Sequence, residues 1–66
     1  MSAGNDIKYK AVQVISTYLG DIVASSYKEF YSDKDISVVK TSVSELLSDY
    51  IGEKKAKEIL IKNGIN

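Results

Sequence analysis

Residues 7–31 read IKYKAVQVISTYLGDIVASSYKEFY. Val12, Ile15, Leu19, Ile22 and Ser26 recur at alternating spacings of three and four, and Tyr18, Val23, Tyr27 and Phe30 lie beside that stripe. This is the helical period with a broad apolar face. Lys8, Lys10, Gln13, Thr17, Asp21, Lys28 and Glu29 supply the polar side. The stretch holds no Pro and a single Gly. Gly20 is compatible with a helix ending at Leu19 and a second one capped by Asp21. The stripe keeps its phase across it, however, and a glycine inside a helix costs only about 1 kcal/mol relative to Ala. The phase predicts one continuous helix, opened by Asn5 as N-cap with Asp6 beside it. Such a rod would run roughly 37 Å at about 1.5 Å per residue.

Downstream, Ser32-Asp33-Lys34-Asp35 reads as a turn, because each of these side chains can bond its own backbone. Residues 36–43 are rich in β-branched side chains and fit a short strand. At helical spacing Ile36, Val39, Val43, Leu46, Leu47 and Tyr50 form one stripe behind Asp35. Ser42 and Glu45 also spell a capping box, which would leave 36–41 extended. A lone strand would have no partner within the chain, so the helix is favoured. Gly52 then breaks the pattern, and a last helix carries Ala56, Ile59, Leu60 and Asn63 on one face. Lys54–Glu58 and Glu58–Lys62 stand at i, i+4 with opposite charge. Gly64 suits a helix C-terminus, and Ile61 and Ile65 fall off the main face. The expected fold is all-α, a small three-helix domain with a long N-terminal helix near 5–32 and two shorter helices near 35–51 and 53–63 joined by a Gly corner. Residues 1–4 read as a flexible tail before a single domain over 5–66. No internal repeat or low-complexity segment is read.

The inventory narrows the chemistry. The 66 residues contain no His, Cys, Arg, Trp or Pro. That excludes an unperturbed group titrating near neutrality, a thiolate nucleophile or disulfide, and a bidentate guanidinium clamp. Catalysis would have to rest on Asp, Glu, Lys, Ser, Thr or Tyr within a pocket that so short a chain rarely encloses. No enzyme activity, metal or cofactor is expected. A 44% hydrophobic fraction is too high for a disordered chain. A domain near this length buries only about 60% of its unfolded surface, and without disulfides or the usual metal ligands, self-association gains weight. Lysines and acids balance at nine each, so no global field draws the chain to nucleic acid or an anionic membrane. The balance is uneven: residues 51–66 hold four Lys against two Glu. No apolar run is long enough for a membrane span. The first residues match neither a signal peptide nor a myristoylation site, so a cytoplasmic location is expected.

The sharpest local signal is Tyr50-Ile51-Gly52-Glu53-Lys54-Lys55-Ala56-Lys57-Glu58-Ile59-Leu60. It resembles the second half of a helix-hairpin-helix DNA-binding motif, matched at Gly52, Ala56, Ile59 and Leu60, with Tyr50 where the motif has its first glycine. The resemblance covers about a fifth of the chain. It implies backbone N–H groups turned to a phosphate, a small residue at a tight helix crossing, and lysines close behind. Without it, the same residues are a tight corner followed by a solvated helix face. Ser25–Lys28 and Ser37–Lys40 share the S-x-x-K spacing of penicillin-recognising enzymes but lack the other motifs and the pocket. Asp33 and Asp35 are turn and cap residues, since no further oxygen ligands follow in register. Among the aromatic residues, Tyr9 and Tyr31 are the least well placed for a core and are the surface candidates.

Two functions follow as expectations. The first is a non-catalytic protein–protein interaction module, homo-oligomeric or docking on another protein, because the apolar flank of the rod exceeds what the rest of the chain can cover. Val12, Ile15, Leu19, Ile22, Val23, Tyr27 and Phe30 are its candidate interface. The alternative is a nucleic-acid-binding module that uses Gly52, Lys54, Lys55 and Lys57.

Overall fold

A computed structural model describes residues 3–65, with side chains from residue 6 onward. Four helices follow one another: α1 (Ala3–Leu19), α2 (Asp21–Tyr31), α3 (Ile36–Ile51) and α4 (Glu53–Lys62). No strand occurs among the described residues, so the β-branched 36–41 segment is helical as favoured. The all-α class holds, with one helix more than the sequence predicts.

The extra helix arises at Gly20, where the predicted rod breaks. Gly20 adopts φ 98°, ψ 163°, a backbone region open essentially to glycine alone. Its N–H closes α1 on the Ser16 carbonyl at 3.1 Å, and its carbonyl accepts the first bond of α2 from the Ala24 N–H at 3.1 Å. One residue thus ends one helix and starts the next. The apolar phase runs on across the break in sequence, but the fold does not follow it: Ile22 and Ser26, which continue the α1 stripe, are exposed, and α2 turns Ala24 and Tyr31 inward instead. At the other end, α1 begins two residues before the expected cap at Asn5; the tail expected at 1–4 lies partly outside the described residues.

Gly52 repeats this geometry. It has φ 92°, ψ 150°, its N–H bonds the Ser48 carbonyl at 3.1 Å, and its carbonyl accepts from Ala56 at 3.0 Å. The two glycines stand 32 positions apart, and at that offset Lys8, Ser16, Tyr18, Gly20 and Ala24 meet Lys40, Ser48, Tyr50, Gly52 and Ala56. Ala11, Ile15, Leu19 and Asp21 meet the related Val43, Leu47, Ile51 and Glu53. The chain is a tandem of two helix–Gly–helix hairpins, which corrects the reading of no internal repeat. α1 packs on α2, α3 on α4, and the two hairpins join through α1 and α3.

The core sits at that junction. Ala11 and Ile15 of α1, and Val39, Val43 and Leu47 of α3, are fully buried. Ala24 and Ala56, each four residues past its glycine, are buried as well, as small residues must be where two helices cross closely. Burying Ile15 or Leu47 contributes about 1.5–3 kcal/mol each. Tyr31, expected at the surface, is 1% exposed, because it ends α2 seven residues after the buried Ala24 and shares that inward face. Its hydroxyl shares a 2.8 Å hydrogen bond with Ser42 Oγ, which satisfies the phenol. Burial raises the Tyr31 pKa above its ordinary value, partly offset by that bond and reinforced by Tyr27. Ile65 is likewise buried rather than off-face. Gly64 turns with φ 71°, the Ile65 N–H reaches back to the Leu60 carbonyl at 2.9 Å, and the Gly64 N–H reaches Ile61. This Schellman ending carries the residue after the glycine back onto the helix.

The accessible surface is 4482 Å². A compact monomer of 7.3 kDa is expected to expose about 4,200 Å², so the two hairpins close most of their core on each other.

Candidate functional site

The corners differ in chemistry despite their shared backbone. In hairpin 2 (α3–α4; hairpin 1 is α1–α2) the glycine is followed by Lys54, Lys55 and Lys57, all exposed. The equivalent places in hairpin 1 hold Ile22, Val23 and Ser25. Among the described residues Ile22 is the most exposed large apolar side chain, at 86%. Neither α2 nor α4 has a side-chain cap on its first turn, so N–H groups of both first turns face outward. Nothing lies within 4 Å of where a Cβ would stand on either glycine. Each first turn also carries an acid, Asp21 or Glu53. Asp21 accepts a hydrogen bond from Ser16 Oγ.

The Gly52 corner is a shallow depression lined by Gly52, Glu53, Lys54, Lys55 and Glu58. The expected Lys54–Glu58 and Glu58–Lys62 ion pairs do not form; among the described residues the ion pair present is Lys34–Asp33. Exposed pairs on a helix gain too little to hold two long side chains in place. The α4 lysines therefore extend into solvent. Lys54 and Lys55 stand at the Gly52 corner, whereas Lys57 lies on another face of α4 and lines the hollow between α3 and α4.

The seven interface candidates are dispersed. Ile15 lies in the core, Val12, Leu19, Val23 and Tyr27 are half-buried against it, and only Ile22 and Phe30 remain exposed. With the rod broken at Gly20, its apolar flank is divided between two helices and largely covered. Phe30 stays at the surface against Tyr27 and Tyr31, with ring centroids 6.4 and 5.7 Å away. Lys34 Nζ stands 5.1 Å from the Phe30 ring centroid. Phe30 and the exposed Val38 border one hollow over α3.

Sequence reasoning missed a third feature, a hollow of about 500 Å³ between α1 and α4. Gln13, Thr17, Tyr18, Ile59, Lys62 and Asn63 line it. The Gln13 amide donates to the Tyr9 hydroxyl at 2.9 Å, and the Asn63 amide donates to the Ile59 carbonyl at 2.8 Å. No linear motif links α1 to α4, so only the pairing of the two hairpins exposes it. No group of three or more metal-ligating side chains occurs among the described residues, and no described helix is long and apolar enough to cross a membrane.

Compared with known proteins, the chain matches no family model, no curated sequence and no solved structure.

Proposed function

We propose that this chain is a non-catalytic binding module whose second hairpin engages the phosphate backbone of nucleic acid. The observation that carries the reading is the duplication. Two helix–Gly–helix corners share glycine dihedrals and a buried alanine four residues on, and one of them alone carries Lys54, Lys55 and Lys57. Of the positions that carry the helix-hairpin-helix resemblance in α3–α4, the first hairpin keeps Gly20 and Ala24 and has Tyr27 and Lys28 in place of Ile59 and Leu60. Backbone N–H groups at the open Gly52 corner and the lysines behind it supply the donors that a phosphate needs. Zero net charge means no long-range steering, so binding is local, weak and sensitive to salt. Glu53 lowers the affinity further.

Fluorescence anisotropy of labelled oligonucleotides over a salt series tests this. Contacts from Lys54 and Lys55 give a log–log slope of roughly −1.4 to −1.8. Lys55→Glu should weaken binding, whereas Lys34→Glu, outside hairpin 2, should change it little. A flat salt response, or equal loss from both variants, would remove the reading.

A second reading, self-association or docking on another protein, rests on the exposed Ile22 and Phe30. It no longer has the rod behind it. Sedimentation equilibrium separates the two: a concentration-dependent mass abolished by Ile22→Ser and Phe30→Ser would support it, and a constant monomer mass would not.

A further inference from the structure

The hollow between α1 and α4 lies on the helix that carries the lysines, and its lining differs from theirs. Lys55 and Lys62 are seven residues apart on α4, close to two turns, so they share a face and stand about 10 Å apart along the axis. Lys62 lines the hollow, and Tyr18 lines it from α1. Tyr18 is 42% exposed, so part of its side chain is accessible from solvent. The helix-hairpin-helix pattern has its first glycine at this position of each corner, and this chain has Tyr18 and Tyr50 instead. A ring there forbids the closest backbone approach to a duplex but offers a stacking surface.

The polar lining suits one class of ligand. Gln13 and Asn63 line the hollow with side-chain amides, each of which spends one N–H within the protein and keeps a second N–H and an acceptor oxygen. Lys62 adds a cationic donor. A flat group with hydrogen-bonding edges, attached to a phosphate, matches that set: its face meets Tyr18, its edge the side-chain amides, its phosphate Lys62. About 500 Å³ accommodates one such unit. A base inside a duplex is stacked and paired and cannot enter, whereas a single strand can present one.

We infer that the module takes single-stranded nucleic acid, its backbone following α4 from Lys55 to Lys62 and one base seated against Tyr18 in the α1–α4 hollow. This rests on the nucleic-acid reading above and goes beyond it in naming the strand state and the base site. Hairpin 1 then contributes the stacking ring rather than a second phosphate contact.

The test is anisotropy at low salt with labelled thymidine and uridine oligomers and with a duplex of matching length. The oligomers should bind more tightly than the duplex. Tyr18→Ala should weaken oligomer binding by about tenfold, within the range of one base stack, and Tyr18→Phe should restore it. Circular dichroism melting checks that Tyr18→Ala still folds; if it does not, Lys62→Gln supplies the same comparison from the other side of the hollow, and an unchanged affinity there overturns the inference. Equal affinity for duplex and single strand, or no loss in the folded Tyr18→Ala variant, overturns the base site while leaving phosphate binding by Lys54 and Lys55 intact. No binding to any oligonucleotide removes both. A preference between thymidine and uridine oligomers, with Tyr18 required for either, supports the site, and a deoxyuridine oligomer then separates the sugar from the base methyl as its cause.

Discussion

Replacing Gly20 with alanine discriminates between the corner and a continuous rod by the sign of its effect. In a helix interior, Gly→Ala stabilises by about 1 kcal/mol. At φ 98°, ψ 163° an L side chain is strained by about 1–3 kcal/mol, and the site offers open space, so nothing else sets the outcome. The account therefore expects Gly20→Ala to destabilise by about 1–3 kcal/mol. For a domain of this size each kcal/mol is about 4–8 °C in Tm, a shift resolved easily by thermal circular dichroism. A chain this short can also be made by chemical synthesis with D-alanine at position 20. The mirror-image residue adopts that backbone without strain and should stabilise by about 0.4–1 kcal/mol, by restricting the unfolded chain. Gly52 should respond in the same way, since φ 92°, ψ 150° is the same region. An L-alanine variant at Gly20 that melts higher than the parent would refute the broken helix, and with it the tandem of hairpins.

The remaining expectations concern packing and pH. Ala56→Leu should destabilise by about 1–3 kcal/mol, because it forces bulk into the tight α3–α4 crossing, whereas Lys57→Leu next door should be close to neutral; denaturant melts compare them. Leu47→Ala removes a fully buried side chain at the hairpin junction and should lose about 2–5 kcal/mol, read as a lower urea midpoint at unchanged slope. Tyr31 has a raised folded-state pKa from burial, so the folded state holds its proton longer than the unfolded state does. Its contribution is full below the ordinary tyrosine range and is lost as pH rises through the raised folded value. Alkaline destabilisation should therefore be shallower in Tyr31→Phe, which also loses about 0.5–1.5 kcal/mol at neutral pH with the Ser42 bond; melts across alkaline pH check both.

The sequence carries the helices themselves plainly, and their faces are legible from spacing. Val39, Val43 and Leu47 form the inward stripe of α3, and Gly52, Gly64 and Asp35 mark helix ends where expected. Gly20 was not legible as a corner because Leu19 and Ile22 keep the helical phase across it, and the dihedrals of one residue leave no trace in hydrophobicity. Reading a rod there also hid the repeat. The offset of 32 aligns Tyr18-Leu19-Gly20-Asp21 with Tyr50-Ile51-Gly52-Glu53, but the following Ile22 and Val23 face Lys54 and Lys55, so the chemistry diverges where the backbone agrees. Tyr31 goes inward on the Ala24 face of α2, a face that the rod reading through Ile22 and Ser26 does not pick out, and Ile65 goes inward because a Schellman ending overrides helical register. Of the candidate sites, the Gly52 corner is local and could be read; the α1–α4 hollow joins residues about fifty positions apart and requires the packing of the two hairpins.

Residue-resolved NMR shifts of the labelled protein during titration with a short single-stranded oligonucleotide test the central claim most directly. The account predicts that the backbone amides of Gly52, Lys54 and Lys55 move together with those of Tyr18 and Lys62, while Ile22, Phe30 and Val38 stay in place. Shifts confined to Ile22, Phe30 and Val38, or none at all at saturating oligonucleotide, would contradict it.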